Sequence, residues 1–174
     1  MQKNYFELFG LEPNFFVNEV ELNSTLKKLL HATHPDRYAS ASSQEQMIAM
    51  QKTTEINDAY AILKNPVRRA QYLLAIKKGV DVSRNVTVND PVFLMQQLEL
   101  REQLEHIVLR KNASELISFS DHIESIRDEQ IAELKLFFEQ NEWSIQNIQT
   151  AIYKLQFLLK TLHDIEVAED RLLD

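Results

Sequence analysis

Apolar residues recur at helical spacing over most of the chain. In the first half, Asn18 and Glu21 mark a capping-box-like helix start, and Pro35 requires that helix to end just before it. A loop is expected over residues 35–43. A second helix restarts at Ser42, and its apolar period is clearest towards Leu63. The pattern predicts an antiparallel helix hairpin flanked by two short helices. These flanking helices are expected over residues 5–9 and 66–75.

The second half of the chain is also predicted to be helical. Residues 77–89 have no helical period and contain one of the two glycines, so we expect a linker there. Asp90 followed by Pro91 is a cap with a first-turn proline, and it opens a region of three amphipathic helices. The expected helices are about 91–111, 114–140 and 144–173. The sequence therefore predicts an all-α protein with domains 1–76 and 90–174, the second a three-helix bundle.

Composition excludes several kinds of chemistry. The 174 residues contain no cysteine, which excludes disulfides, Cys nucleophiles and thiolate-bound metals or clusters. No apolar run is long enough to span a bilayer, so no membrane association is expected. The first residues lack an apolar stretch with a cleavage site, so no secretory signal is expected and the predicted location is cytoplasmic.

Charge differs between the two halves. Residues 1–89 carry eleven Lys and Arg against nine Asp and Glu, a balance of +2. Residues 90–174 carry eight against seventeen, a balance of −9. An acidic second half disfavours a nucleic-acid partner, because phosphate binding needs clustered cations. It is compatible with a basic protein partner or simply with a solvated acidic surface.

The tripeptide His34-Pro35-Asp36, which we call the HPD turn, follows the first long helix. Pro35 restricts the backbone conformation of the turn, so the turn loses less conformational entropy when it docks on a partner. Asp36 can accept charge-assisted hydrogen bonds from an arginine, and His34 can donate or accept at neutral pH. The basic residues around the turn are Lys27, Lys28 and Arg37.

Other interpretations of these residues remain open. His34 and Asp36 could cap neighbouring helix ends, and the two lysines are favoured near a helix C-terminus in any case. No nucleophile accompanies the His–Asp pair, so we assign no catalytic residue. His31 and His34 form an i,i+3 pair at a fraying helix end, to which we assign no metal.

The arrangement of residues 1 to about 75 resembles a J-domain. The resemblance rests on the HPD turn and on the sequences of residues 5–11, 56–63 and 65–72. It implies a partner rather than an active site: two antiparallel helices present the turn to an ATP-dependent chaperone of the DnaK type and stimulate its ATPase. By the same resemblance, the turn would contact that chaperone. Lys27, Lys28 and Arg37 would add a basic edge to this binding site and speed encounter with an acidic surface.

The first helix of the second half has two apolar faces. On a helical wheel its core stripe falls within roughly 60° of arc. This stripe comprises Phe93, Leu100, Leu104 and Ile107. On the far side lie Leu94, Met95 and Leu98, with Glu99 and Glu102. Exposed apolar groups rimmed by acid are typical of a contact site, and Met suits an adaptable surface.

Phe157 on the third helix of the bundle is expected to project away from the core face in a similar way. The alternative is a wide core stripe, since each helix of a three-helix bundle touches two others. These apolar side chains could also pack on the first domain.

The whole chain resembles the HscB family, the J-type co-chaperones of iron–sulfur cluster assembly, most specifically over residues 93–102. The resemblance implies an adaptor that is not an enzyme and needs no cofactor. It would bind an IscU-type scaffold protein and deliver it to an HscA-type DnaK-family ATPase, as a monomer or with weak self-association. The implied scaffold contacts are Leu94, Met95, Leu98, Glu99, Glu102 and Phe157.

The chain departs from this family at two points. The family often has an acidic residue at the position of His106, so no scaffold contact is carried over there. Eukaryotic relatives have an N-terminal segment with paired cysteines; their absence here fits a bacterial-type member without a zinc site. The alternative function is a J-domain co-chaperone of a general DnaK-type chaperone, with a bundle that dimerises or binds an unrelated client.

Overall fold

The computed structural model describes residues 4–38, 41–80 and 90–173. Within these ranges the secondary structure is helical and no strand occurs, so the all-α prediction is confirmed. The helices are α1 (Tyr5–Leu8), α2 (Glu19–Thr33), a 3₁₀ turn (Pro35–Tyr38), α3 (Ser43–Lys64), α4 (Pro66–Lys78), α5 (Pro91–Leu109), α6 (Ala113–Glu139) and α7 (Ile145–Leu173). The chain divides into two compact units, Met1–Asp81 and Val82–Asp174.

In the first unit, α2 and α3 form the predicted antiparallel hairpin. Thr53 on α3 contacts Thr33 at the end of α2, while the Tyr60 hydroxyl donates to Asn23 Oδ1 at 2.7 Å near the start of α2. The helices α1 and α4 both pack on α3. The largest fully buried side chains of this unit are Phe6, Leu22, Leu63, Leu73 and Leu74. Burial of each such side chain contributes roughly 1.5–3 kcal/mol.

The connection between α2 and α3 is more ordered than predicted. We expected a loop over residues 35–43, but residues 35–38 form a 3₁₀ turn in which the Arg37 N–H donates to the His34 carbonyl at 3.0 Å. Proline fixes φ near the value of a first helical turn, which favours this conformation. Residues 39 and 40 lie outside the described residues.

Helix α4 is longer than the predicted 66–75. It extends to Lys78 and ends at Gly79, whose φ of 64° is left-handed and whose N–H donates to the Ala75 carbonyl at 3.0 Å. A glycine that can adopt positive φ ends helices well, and lysines in the last turn interact favourably with the helix dipole. The start of the expected 77–89 linker is thus helical, while residues 81–89 lie outside the described residues.

The second unit is the predicted bundle of α5, α6 and α7. Asp90 caps α5 by accepting the Phe93 N–H at 3.0 Å. Of the core stripe predicted on α5, Phe93 and Ile107 are buried, and Leu100 and Leu104 are half-buried. Most of the bundle core belongs to one buried cluster. Its members are Ile107, Leu116, Phe119, Ile123, Leu158, Ile165 and Ala168.

Candidate functional site

The HPD turn is presented to solvent at the end of α2. The side chains of His34 and Asp36 are 57% and 90% exposed, and His34 Nδ1 lies 3.6 Å from Asp36 Oδ2. The Asp36 N–H donates to His34 Nδ1 at 3.3 Å. A neutral His34 ring that accepts at Nδ1 carries its proton on Nε2, which leaves Nε2 as a hydrogen-bond donor. The turn therefore offers one donor and one carboxylate acceptor to a partner.

Hydroxyl groups anchor the end of α2 beneath the turn. Pro35 has no N–H, so it cannot supply the backbone donor that often caps a helix C-terminus. The Tyr38 hydroxyl instead donates to the Ala32 carbonyl at 3.4 Å. The Thr53 hydroxyl lies 3.3 Å from the Thr33 carbonyl and 3.0 Å from Thr33 Oγ1. The contact of Thr53 with Thr33 joins two helices twenty residues apart, so it leaves no local signal in the sequence.

Basic side chains precede and follow the HPD turn in the sequence. Lys27, Lys28 and Arg37 are all exposed. Within the described ranges, none of the three forms an ion pair with a carboxylate. Unpaired surface cations can accelerate encounter with an acidic partner surface.

The far side of α5 is an exposed apolar surface. Leu94, Met95 and Leu98 are 49%, 65% and 56% exposed. Phe93 and Ile107 on the opposite side are buried. For these three side chains the alternative of a wide core stripe is therefore wrong. We call them, together with Glu99 and Glu102, the α5 patch.

The rim of the α5 patch is acidic and its start is more apolar than predicted. Glu99 and Glu102 are exposed, and neither forms an ion pair with another residue of the described ranges. Val92, which sequence analysis did not single out, is 69% exposed next to the helix start and extends the apolar surface. His106 is also exposed, one turn beyond Glu102 on the same helical face.

Phe157 was expected to project away from the core, but it does not. It is half-buried, packs against the bundle core and meets the Phe93 ring edge-on, with ring centres 5.8 Å apart. The physical reason is that α7 touches both α5 and α6, so its apolar stripe is wide. Phe157 supports the start of α5, and its contact with a scaffold remains a prediction.

Two further findings concern metals and membranes. Among the described residues, no three His, Asp or Glu side chains come together in a way that could hold a metal ion. No helix in the described part of the chain combines the length and apolarity that crossing a bilayer needs.

Comparison with known proteins gives matches over both units. Residues 4–72 match the DnaJ domain family, and residues 89–166 match a family described as the HSCB C-terminal oligomerisation domain. A co-chaperone protein HscB homolog from Aliivibrio salmonicida is 40% identical over 98% of this chain and 99% of its own length. The chain belongs to the HscB family. A second HscB homolog, from Shewanella pealeana, is 41% identical with the same coverage of both chains.

Solved structures of the HscB family have the same fold. Chaperone HscB from Vibrio cholerae is 37% identical, with a TM-score of 0.83 over 98% of this chain and 99% of its own. Human co-chaperone HscB is 22% identical and has a TM-score of 0.86 over 95% of this chain and 82% of its own. At this identity the match shows only that the two chains share a fold.

Membership of the HscB family makes this protein a J-domain co-chaperone. J-domain co-chaperones act on a chaperone of the DnaK family and regulate that partner's ATPase. The exposed HPD turn and the α5 patch lie in different units of the chain. The protein therefore has two separate exposed surfaces, the HPD turn and the α5 patch, at which partners could bind.

Proposed function

We propose that this protein binds an IscU-type iron–sulfur scaffold through the α5 patch and delivers it to an HscA-type chaperone of the DnaK family. The HPD turn would stimulate the ATPase of that chaperone, so that hydrolysis and capture of the scaffold are coupled. The protein itself makes and breaks no covalent bond. Its contribution is to bring two other proteins together in one complex.

The observation that carries the proposal is the exposure of Leu94, Met95 and Leu98 on a helix whose other side supplies core residues. Packing within the bundle gives no reason for apolar residues on this outer face. An apolar patch with carboxylates around it fits a partner with an apolar surface bordered by cations. Glu99 and Glu102 would set the orientation of that partner and raise its association rate.

The chaperone side of the proposal rests on the HPD turn. Asp36 is 90% exposed, so it can pair with an arginine of a partner and lose little hydration beforehand. The 3₁₀ turn and its anchoring hydroxyls hold the backbone on both sides of Asp36. A preorganised turn loses less conformational entropy on docking than a mobile loop does.

The proposal is tested by steady-state ATPase assays of an HscA-type chaperone and, in parallel, a general DnaK-type chaperone. Each is measured alone, with this protein, and with this protein plus the scaffold. We expect stimulation of the HscA-type chaperone that is greater than additive when the scaffold is present. Stimulation of the DnaK-type chaperone that is indifferent to the scaffold would contradict the proposal and favour a general co-chaperone.

The variant Asp36→Asn tests the role of the HPD turn independently of scaffold binding. This variant should abolish ATPase stimulation and leave scaffold affinity and unfolding midpoint unchanged, because Asp36 is almost fully exposed. Asp121→Asn, at an exposed position of α6, is the matched control and should stimulate as the wild type does. Equal stimulation by Asp36→Asn and wild type would remove the turn from the mechanism.

The double variant Leu94→Ala/Leu98→Ala tests the α5 patch. Scaffold affinity should fall by more than about tenfold, or about 1.4 kcal/mol, as measured by calorimetry. Ile117→Ala/Leu136→Ala, which truncates two exposed apolar residues of α6, should bind with wild-type affinity. A loss of affinity shared by both double variants would contradict a specific role of α5.

Sedimentation of the same proteins tests the alternative role of the bundle. We expect a monomer or weak self-association at assay concentrations, with no difference between the wild type and Leu94→Ala/Leu98→Ala. A stable dimer that this double variant dissociates would assign the α5 patch to self-association instead of scaffold binding.

A further inference from the structure

The hydroxyl of Thr53 lies where the end of α2 meets α3. Thr53 Oγ1 is 3.3 Å from the Thr33 carbonyl oxygen, 3.0 Å from Thr33 Oγ1 and 2.9 Å from the Ala49 carbonyl oxygen. The hydroxyl has one proton, so it donates to one of these three oxygens at a time. Two of the three belong to Thr33, the residue directly before the HPD turn.

The position of Thr33 makes this contact important for the turn. Thr33 is 9% exposed and is the last residue of α2, and its own hydroxyl donates to the Leu29 carbonyl at 3.2 Å. The last carbonyls of a helix have no partner within the helix, and Pro35 has no N–H to offer them. Thr53 can therefore supply a donor from the neighbouring helix to Thr33, the residue directly before the turn.

We propose that Thr53 is a positioning residue for the HPD turn. It fixes the end of α2 to α3 and thereby sets the direction in which His34 and Asp36 face a partner. The consequence for ATPase stimulation rests on the proposed function, whereas the effect on the conformation of the turn does not.

Thr54 provides a matched control within the same helix. Its hydroxyl donates to the Met50 carbonyl at 3.1 Å, the same i−4 bond that Thr53 can make to Ala49. Thr54 is exposed and has no bond across to α2. Thr53→Val and Thr54→Val therefore remove the same atom and the same local bond, but only Thr53→Val removes the contact with Thr33.

The first measurement is amide hydrogen exchange by NMR on the full-length protein without any partner. In Thr53→Val, exchange of the Arg37 amide, which donates to the His34 carbonyl, should accelerate by about five- to tenfold. In Thr54→Val and Thr53→Ser it should remain at the wild-type rate, since serine restores the hydroxyl. The amide of Leu63, in the core of α3, is the internal reference and should not change.

The second measurement is the dependence of chaperone ATPase rate on the concentration of this protein. Thr53→Val should raise the half-maximal concentration by about fivefold and leave the maximal rate close to that of wild type, since the docked turn is unchanged. Scaffold affinity, which depends on the α5 patch, should not change. Thr53→Ser should restore the half-maximal concentration.

Each outcome decides the inference. If Thr53→Val and Thr54→Val show the same exchange at Arg37, or if Thr53→Ser does not restore it, Thr53 does not position the turn. If the exchange pattern is as expected but the wild-type protein stimulates no chaperone, the proposed function is wrong and the structural role of Thr53 stands. Should Thr53→Val not fold, the pair Thr53→Ala and Thr53→Ser makes the same comparison.

Discussion

The Asp90 carboxylate lies 3.1 Å from Lys154 Nζ and also accepts the Phe93 N–H at 3.0 Å, so one side chain both caps α5 and ties it to α7. The hydrogen bond from Phe93, followed by the interaction with Lys154, lowers the pKa of Asp90 below its ordinary value. Lys154 Nζ also lies 5.4 Å from the centre of the Phe93 ring. The turn that carries Leu94 and Met95 is thus held to the bundle by charge as well as by packing.

This pairing predicts a specific dependence of stability on pH. Because the pKa of Asp90 is lower in the folded than in the unfolded state, its stabilisation is complete above the unfolded pKa and is lost as pH falls through the folded one. Urea unfolding between about pH 7 and pH 3 should therefore show a smaller acid-induced loss in Asp90→Asn than in wild type. Asp121→Asn, at an exposed site, should behave as wild type does. A wild-type pH profile for Asp90→Asn would contradict the role given to the carboxylate.

Truncation of the α5 patch should have little effect on stability. Leu94 and Leu98 are about half exposed, so each change to alanine should lower the free energy of unfolding by about 0.5 kcal/mol or less. Leu155 is fully buried in the same bundle, so Leu155→Ala should lower the free energy of unfolding by about 2–5 kcal/mol. Urea unfolding of the three variants makes the comparison. A loss of several kcal/mol in Leu94→Ala/Leu98→Ala would show that these leucines belong to the core.

Much of the fold was predictable because its signals are local. Caps such as Asn65 with Pro66, and Asp90 with Pro91, lie beside the backbone groups that they satisfy. The exposed face of α5 was also predictable, since a helix places its residues around its axis at a fixed angle. The function was implied by the resemblance of the HPD turn and its surrounding sequences to a J-domain and of residues 93–102 to the HscB family.

The features that sequence analysis missed depend on partners that are distant along the chain. Phe157 was expected to face away from the core, but its burial depends on how α7 divides its surface between two neighbours. The contact between Thr53 and Thr33 spans two helices and leaves no periodic signal. Arg68 and Arg69 are chemically identical neighbours, and only the packing of α4 determines that the second is buried.

Arg69 should be important for the stability of the first unit. It is 7% exposed, its Nη1 donates to the Leu63 carbonyl, and its guanidinium carbon lies 5.1 Å from the centre of the Phe15 ring. Burial lowers the pKa of Arg69 to about 10, so the side chain remains charged at neutral pH. Arg69→Ala should lower the free energy of unfolding by about 2–4 kcal/mol, through a cavity and an unpaired Leu63 carbonyl.

Arg68→Ala is the matched control for Arg69→Ala. Arg68 is exposed, so its truncation should change the free energy of unfolding by no more than about 0.5 kcal/mol. Arg69→Met keeps much of the apolar part of the side chain, so its free energy of unfolding should lie between those of Arg68→Ala and Arg69→Ala. Equal stability of the Arg68 and Arg69 variants in urea would show that the buried guanidinium adds nothing to the packing of α4.

The hydroxyl of Tyr72 should stabilise the N-terminus of α1. The Tyr5 N–H, which opens α1 and has no partner within that helix, donates to the Tyr72 hydroxyl at 3.0 Å. The two rings stack with centres 4.8 Å apart, and phenylalanine preserves that stacking. Tyr72→Phe should therefore lower the free energy of unfolding by about 1 kcal/mol. Tyr60→Phe, which removes an exposed hydroxyl bonded to Asn23, should have a smaller effect in the same urea titration.

Alkaline pH tests the burial of the Tyr72 hydroxyl. Burial raises the pKa of Tyr72 above its ordinary value, so the folded protein keeps this proton at a pH where the unfolded chain has begun to lose it. The stabilisation is complete below the unfolded pKa of about 10 and is lost as pH rises through the folded value. Wild type should therefore lose more stability between about pH 9 and pH 11 than Tyr72→Phe, which cannot ionise. Parallel losses in the two proteins would show that folding does not raise the pKa of Tyr72, which would contradict the burial of its hydroxyl.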